Sequence, residues 1–323
     1  MTIFHERIGL DTRGAVGQIT LGAAAYPENL REIASPPPRL YVRGTLAERD
    51  ALAIAIVGSR AATPYGLAMA ERLAADLAAR GVTIVSGLAR GIDSAAHRGA
   101  LRVGGRTIAV LGSGVDVIYP PENRRLARDI EAHGAVVSQF APGTRPLPGY
   151  FPARNRVIAG LALAVVVVEA AEQSGSLITA GFAGEMGREV MAVPGLVTSA
   201  QSAGAHRLIQ DGAALVQSWE DVVGLLPLRW RDQVAAATTA TIASTQAERP
   251  NHLAHGQHAE GHVEVEDERR ILAVLTEAPT DIDGIIERSG ISPGRASALL
   301  VALELEGRIR QLEGKRFVQV SLG

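Results

Sequence analysis

Between residues 53 and 216 the apolar positions alternate between two patterns. Short, mostly apolar runs recur at Ala53–Val57, Val82–Val85, Thr107–Leu111, Ala135–Ser138, Ala164–Val168, Glu189–Val193 and, more weakly, Ala214–Val216. Runs of this length, rich in valine and isoleucine and bounded by turn residues, predict strands buried on both faces of a parallel sheet. Single apolar stripes lie between them. Leu67, Ala70, Leu73, Ala74 and Leu77 predict a helix closed by Gly81. Val157, Ile158 and Leu161 predict another, with Phe151, Arg154 and Asn155 at its N-terminus. The alternation predicts an open, Rossmann-like, mostly parallel α/β sheet.

The flanks differ. Residues 1–42 lack clear periodicity. Pro36-Pro37-Pro38 predicts an extended lead-in, with Leu40–Val42 as a short edge strand. The Rossmann-like domain is expected over 43–227. From Leu228 the apolar period stops, and 228–266 reads as a flexible linker rich in Ala, Thr, Gln, His and Glu. Its histidines 252, 255, 258 and 262 have no Cys or Asp partner, so no metal site is expected. Order returns over 267–323. Ile271, Leu272 and Leu275 mark one helix, and Ile282, Ile285 and Ile286 a second. Ser292-Pro293 opens a third as N-cap and N1, and a hairpin turns at Glu313-Gly314. Three helices and a hairpin predict a winged helix. The third helix carries Arg295 beside Glu304 and Glu306, which suits a protein partner as well as a DNA groove.

Composition narrows the chemistry. There is no cysteine, which excludes disulfides and thiolate catalysis and is compatible with a cytoplasmic setting. No stretch reaches the roughly 20 apolar residues of a membrane span, and no signal peptide is read at the N-terminus. The formal net charge of −2 argues against a uniformly basic surface but allows a local basic groove. Lys315 is the only lysine, so anion contacts elsewhere fall to arginine, backbone and hydroxyl groups.

Each predicted strand opens at its C-terminal end into a glycine- or hydroxyl-bearing loop: Gly58-Ser59-Arg60, Ser86-Gly87 through Gly91, Gly112-Ser113-Gly114 and Ser174-Gly175-Ser176. Ligands of open α/β sheets bind at that edge, and helix N-termini attract phosphate. Arg154 and Arg156, flanking Asn155, suit a phosphate there. They equally suit carboxylates such as Glu169 or Glu172 and a purely structural role. The dinucleotide fingerprint, the Walker loop and the GxSxG elbow are all missing. Ser86, Asp93 and His97 are close in sequence, but His97 reads as a packing histidine rather than a triad member.

Taken in order, IVGSRAATPYG (56–66), IVSGLARGIDSAAHRGAL (84–101), TIAVLGSGVDVIYPPENRRL (107–126), FPARNRVIAGLA (151–162), VVEAAEQSGSLITAGFAGEMGREVMAVPG (167–195) and GAHRLIQDGA (204–213) resemble the bacterial DNA-processing protein A (DprA/Smf) family. The resemblance covers most of residues 40–225. It implies a non-enzymatic, cofactor-free domain that binds single-stranded DNA, protects incoming strands in natural transformation, loads RecA recombinase and forms a cytoplasmic homodimer. It implies that Arg60, Arg154, Asn155 and Arg156 line the DNA groove. Ser59, Gly87 and Ser176 would add backbone or hydroxyl contacts, Arg90, Arg124 and Arg125 further positive charge, and Phe151 or Tyr150 a stacking surface.

Two departures stand out. The small helical domain common before the Rossmann-like part is missing or vestigial. Pro121 and Pro148 replace basic residues of the family pattern, leaving Arg124, Arg125 or Arg145 to compensate. Two alternatives stay open. One is a nucleotide- or partner-binding module of the same fold. The other is a nucleoside monophosphate phosphoribohydrolase, although the segment EQSGSLITA at 172–180 lacks the PGGxGT-type loop of those enzymes.

Overall fold

The computed structural model describes residues 10–11, 15–236, 267, 269–275, 279–292, 295–296, 299–300, 303–304, 308–312 and 316–319. Two compact units divide the chain, 1–242 and 243–323.

The first unit contains strands β1 (Leu10–Asp11), β2 (Gly17–Thr20), β3 (Arg39–Leu46), β4 (Ala53–Val57), β5 (Thr83–Ser86), β6 (Thr107–Val110), β7 (Ala135–Ser138), β8 (Ala164–Val167), β9 (Glu189–Ala192) and β10 (Ala214–Leu215). Its helices are α1 (Glu28–Arg31), α2 (Pro64–Ala78), α3 (Ile92–Arg102), α4 (Arg124–His133), α5 (Tyr150–Leu161), α6 (Gly175–Glu185), α7 (Ala203–Gln210) and α8 (Trp219–Gly224). The strands run β1-β3-β7-β6-β5-β4-β8-β9-β10, with β2 also paired to β3. From β7 to β10 every pairing is parallel.

Alternation along the buried strands explains the layers. Ala53, Ala55 and Val57 of β4 pack in the cluster that holds α1, α5 and α6. Ile54 and Ile56 pack in the cluster of α2 and α3. Neighbouring residues of one strand point to opposite faces, so an uninterrupted apolar run is what a sheet covered on both sides requires. The seven strands predicted between Ala53 and Val216 appear in place, with ends within about a residue of those read from the sequence, the usual fraying.

Residues 17–46 depart from the extended lead-in. Strand β3 alternates buried and less buried residues along its full length and pairs antiparallel with β7, Val42 opposite Val137. On its other side Ile19 of β2 faces Leu40. The expected edge strand is therefore interior along part of its length. Helix α1 buries Leu30 on α5, where a side chain at Gly160 would meet Leu30 Cδ1 at 2.6 Å. A four-residue strand and a one-turn helix are too short to show a period; tertiary contacts hold them.

The expected linker start is also corrected. Residues 228–236 are helical, Val234 is buried, and Trp230 packs on the same cluster. Residues 237–266, with the four linker histidines, lie outside the described residues.

In the second unit, β11 (Thr280–Asp281), α9 (Ile282–Ser289), β12 (Ile309–Leu312) and β13 (Arg316–Gln319) accompany helical residues 269–274 and 295–304, so far as these are described. The strands form an antiparallel sheet, β11-β13-β12. Asp281 caps α9 by accepting from Gly284 N at 2.7 Å, and Gly290 ends it in the left-handed region, φ +69°. Ile271, Ile285, Leu300, Ile309 and Phe317 share one core. This is the expected winged helix with one additional short strand, β11; the Glu313-Gly314 turn lies outside the described residues. Arg295 is held by Asp267, Nε to Oδ2 at 2.6 Å. No helix among the described residues is long and apolar enough to cross a membrane.

Candidate nucleic-acid interface

The direction in which successive strands are added reverses between β4 and β8, and the loops leaving these strands frame a crevice at the C-terminal edge. The β4 loop is pinned across it: Ser59 N donates to Glu169 O at 2.7 Å. The crevice widens into a groove of ≈ 720 Å³ lined by residues including Ser59, Arg60, Asp93, Phe151, Arg154, Asn155 and Ser176. A smaller hollow of ≈ 40 Å³ adjoins it, lined in part by Gly87, Arg90 and Tyr119.

The floor is self-satisfied. Arg154 is buried on α5, where Nη1 donates to Gly87 O and to Val110 O (2.8 Å), and Nε to Asn155 Oδ1 (3.0 Å). It therefore closes the ends of β5 and β6 rather than pairing with Glu169 or Glu172. Burial pushes its guanidinium down to about 10, and the charge of Asp93 opposes that shift. Asp93, in the first turn of α3, is itself buried and accepts from Ala89 N at 3.2 Å. Burial raises its pKa, and Arg154 pulls it back. A side chain at Gly87 would strike the Arg154 guanidinium, so this position must be backbone alone.

Glu169 is committed to the fold. Its Oε2 accepts from Thr63 N at 2.9 Å and its Oε1 from the Thr63 hydroxyl at 2.5 Å. Thr63 in turn caps α2 by accepting from Gly66 N. His97 is likewise structural. The Thr107 hydroxyl donates to Ile84 O at 2.8 Å, so its oxygen accepts the proton of His97 Nδ1 at 2.7 Å. Nε2 is buried without a partner, and burial pushes the imidazole down to about 3. Ser86 Oγ donates to Ile56 O, so no proton relay joins Ser86 to His97.

The rim is different. Arg60 is exposed, and its guanidinium lies 5.4 Å from the Phe151 ring centroid. Arg154 approaches the same ring at 5.8 Å, and Tyr119 meets it at 5.9 Å with the rings inclined by 45°. Asn155 Nδ2 donates to Gly175 O (3.1 Å), tying α5 to the start of α6. The hydroxyls of Ser174 and Ser176 are 2.7 Å apart. Ser59 Oγ donates to Gln201 Oε1 at 2.9 Å.

Several sequence candidates lie elsewhere. Tyr150 stacks on Phe140, centroids 4.3 Å apart. Arg90, by contrast, borders the smaller hollow, but it is ion-paired with Glu122. Arg124 and Arg125 sit on α4 beside two other hollows. Arg156 is half-buried, its Nε without a hydrogen bond, and does not line the groove. Asp93, Gln201 and Tyr119 do border the site, though the sequence reading did not select them. Asp93 carried one signal, a carboxylate at the start of a helix following a glycine-rich loop.

Residues 17–227 match the family model described as DNA recombination-mediator protein A. The chain belongs to this DprA/Smf family. Residues 260–315 match the DprA winged helix domain. The family member "Protein Smf" of Synechocystis sp. is 39% identical over 307 residues, covering 90% of this chain and 77% of its own. DNA processing protein DprA of Streptococcus pneumoniae is 48% identical over 198 residues, 61% of this chain and 70% of its own. The crystal structure of the S. pneumoniae protein overlays with a TM-score of 0.63 at 44% identity, covering 67% of this chain and 76% of that one. DprA of Helicobacter pylori, studied for its single-stranded DNA binding mode, overlays with a TM-score of 0.57 at 28% identity over 64% of this chain and 93% of its own.

Proposed function

We propose that this protein binds single-stranded DNA in the groove between β4 and β8, protects it during natural transformation and loads RecA recombinase onto it, acting as a cytoplasmic homodimer without catalysis. The observation that carries the DNA-binding reading is Arg60, an exposed guanidinium over an aromatic ring at the mouth of a groove. That pairing offers a phosphate contact and a stacking face together, the combination that grips a single strand without reading its sequence. The similarity to the H. pylori protein supports the same ligand. The role in recombination rests on the family. Ser59, Gly87, Asn155 and Ser176 would shape the groove, while Arg90, Arg124 and Arg125 would add outlying charge. Against the hydrolase alternative stands Glu169, buried with both oxygens held by Thr63.

Fluorescence anisotropy with labelled oligo-dT and a duplex of equal length, at low and moderate salt, tests the reading. Tighter, salt-sensitive binding to the single strand is expected. Binding to neither form would leave the groove as a small-nucleotide or partner site.

A further inference from the structure

Gln201 reaches the groove from the loop between β9 and α7. Backbone contacts fix its place. Ser202, the next residue, is buried and donates its N to Ser199 O at 3.0 Å. Gly204 N donates to Ala170 O at 2.7 Å, which fastens the start of α7 to the loop leaving β8. From there the side chain meets the loop leaving β4, where its Oε1 accepts from the Ser59 hydroxyl at 2.9 Å. Ser59 sets which end of the amide faces it. Its Oγ accepts from Ala61 N at 3.1 Å and directs its single proton to Gln201, so the carbonyl end points to Ser59 and the Nε2 hydrogens point away. Gln201 is half-buried and lines the groove. Among the described residues no protein acceptor meets those two hydrogens. An amide held at one end has lost most of its rotamer freedom, so its free donors meet a ligand at little further entropic cost.

We infer that Gln201 is a strand-contacting residue: its Nε2 donates to a hydrogen-bond acceptor of the bound single strand, a phosphate oxygen or a base carbonyl. This inference rests on the DNA-binding reading above. The chemistry complements that of Arg60. A guanidinium displaces counterions from the strand, whereas a neutral amide adds a hydrogen bond without doing so. Gln173, Ser174 and Ser176, on the loop after β8 and the start of α6, line the groove too and are likewise uncharged. Gln201 therefore belongs to a neutral, hydrogen-bonding side of the groove, fastened to that same loop at Ala170.

The test uses the full chain and two variants, Gln201→Ala and Gln201→Glu. The probes are labelled oligo-dT of roughly 20 nucleotides, long enough to overrun a single-strand site, and an abasic oligonucleotide of equal length. Glutamate keeps an acceptor for Ser59, and with it the fold of the loop, but puts a carboxylate oxygen where the amide donors were. Both variants are expected to bind oligo-dT more weakly, the alanine variant about fivefold with an unchanged salt slope, and the glutamate variant by more. Wild-type affinity in the alanine variant would overturn the inference. So would recovery of affinity in the glutamate variant, because Gln201 would then only brace Ser59. A lowered salt slope in the alanine variant would trace the loss to Arg60, the neighbour of Ser59, and overturn it too. A loss confined to oligo-dT supports the contact with a base carbonyl as its acceptor, and a loss shared by the abasic strand supports it with a phosphate oxygen. If oligo-dT binding is weakened by Arg60→Ala but not by Gln201→Ala, only this contact falls. If the wild type does not bind oligo-dT, the DNA-binding reading falls with it.

Discussion

At the floor of the groove Arg154 is buried and donates to the strand-end carbonyls of Gly87 and Val110, whereas at the rim Arg60 is exposed and lies over Phe151. Both arginines belong to glycine-flanked or aromatic motifs at the same sheet edge, and either could be read as a phosphate ligand. Their surroundings separate them. A buried guanidinium must have its donors and charge answered from within the protein, and carbonyls and Asp93 answer those of Arg154. An exposed guanidinium on a ring keeps its donors for a ligand. The floor is thus scaffold, and the rim is the proposed contact surface.

The largest expected effect tests the floor. Arg154→Ala leaves Asp93 buried without its cation and strips two carbonyls of a donor, which costs about 3–5 kcal/mol of stability. Urea unfolding measures it. A loss below about 1 kcal/mol would mean the floor does not depend on this side chain.

A smaller and opposite signature is expected at the rim. Arg60→Ala should shift stability by no more than about 0.5 kcal/mol while weakening oligo-dT binding by about 1.5–3 kcal/mol, the worth of a hydrogen bond to a charged group. Unaltered affinity would remove Arg60 from the contact surface and dissolve the distinction.

A third effect, read as a dependence on pH, concerns His97, structural like the floor but outside the groove. Its folded pKa, pushed down to about 3, lies below its ordinary value of 6.5. The unfolded chain therefore takes up this proton first, and the stability tied to neutral His97 is present above pH 6.5 and lost as pH falls toward 3. The slope is about 1.4 kcal/mol per pH unit for one proton. Asp93, with its raised pKa, acts in the opposite sense at the acid end. Comparison with His97→Asn isolates the histidine, because the amide can still donate to Thr107. The variant is expected to be less stable at neutral pH but to lack this slope; parallel pH curves would show that His97 does not carry it.

The parallel strands were legible because burial on both faces leaves an unbroken β-branched run, as in Ala164–Val168. The winged helix was legible because helix caps and a turn punctuate short apolar stripes. Strand β2 and helix α1 were not, because neither is long enough to show a period and each is stabilised by distant partners, Leu40 and Gly160. The helix at 228–236 escaped for a similar reason: Trp230 and Val234 lie one turn apart, too brief a stripe to stand out from a polar segment.

The sequence by itself determined the succession of the parallel strands along the chain, the placing of glycine-rich loops at strand ends and membership of a DNA-processing family, since these rest on local patterning and ordered motifs. Only the tertiary structure decided which arginine is scaffold and which is rim. It also assigned Glu169 to Thr63 and paired Tyr150 with Phe140. Burial and hydrogen-bond partners are properties of residues far apart in the chain, and they, rather than residue type, set whether a charged or aromatic side chain is already satisfied or still free to meet a ligand.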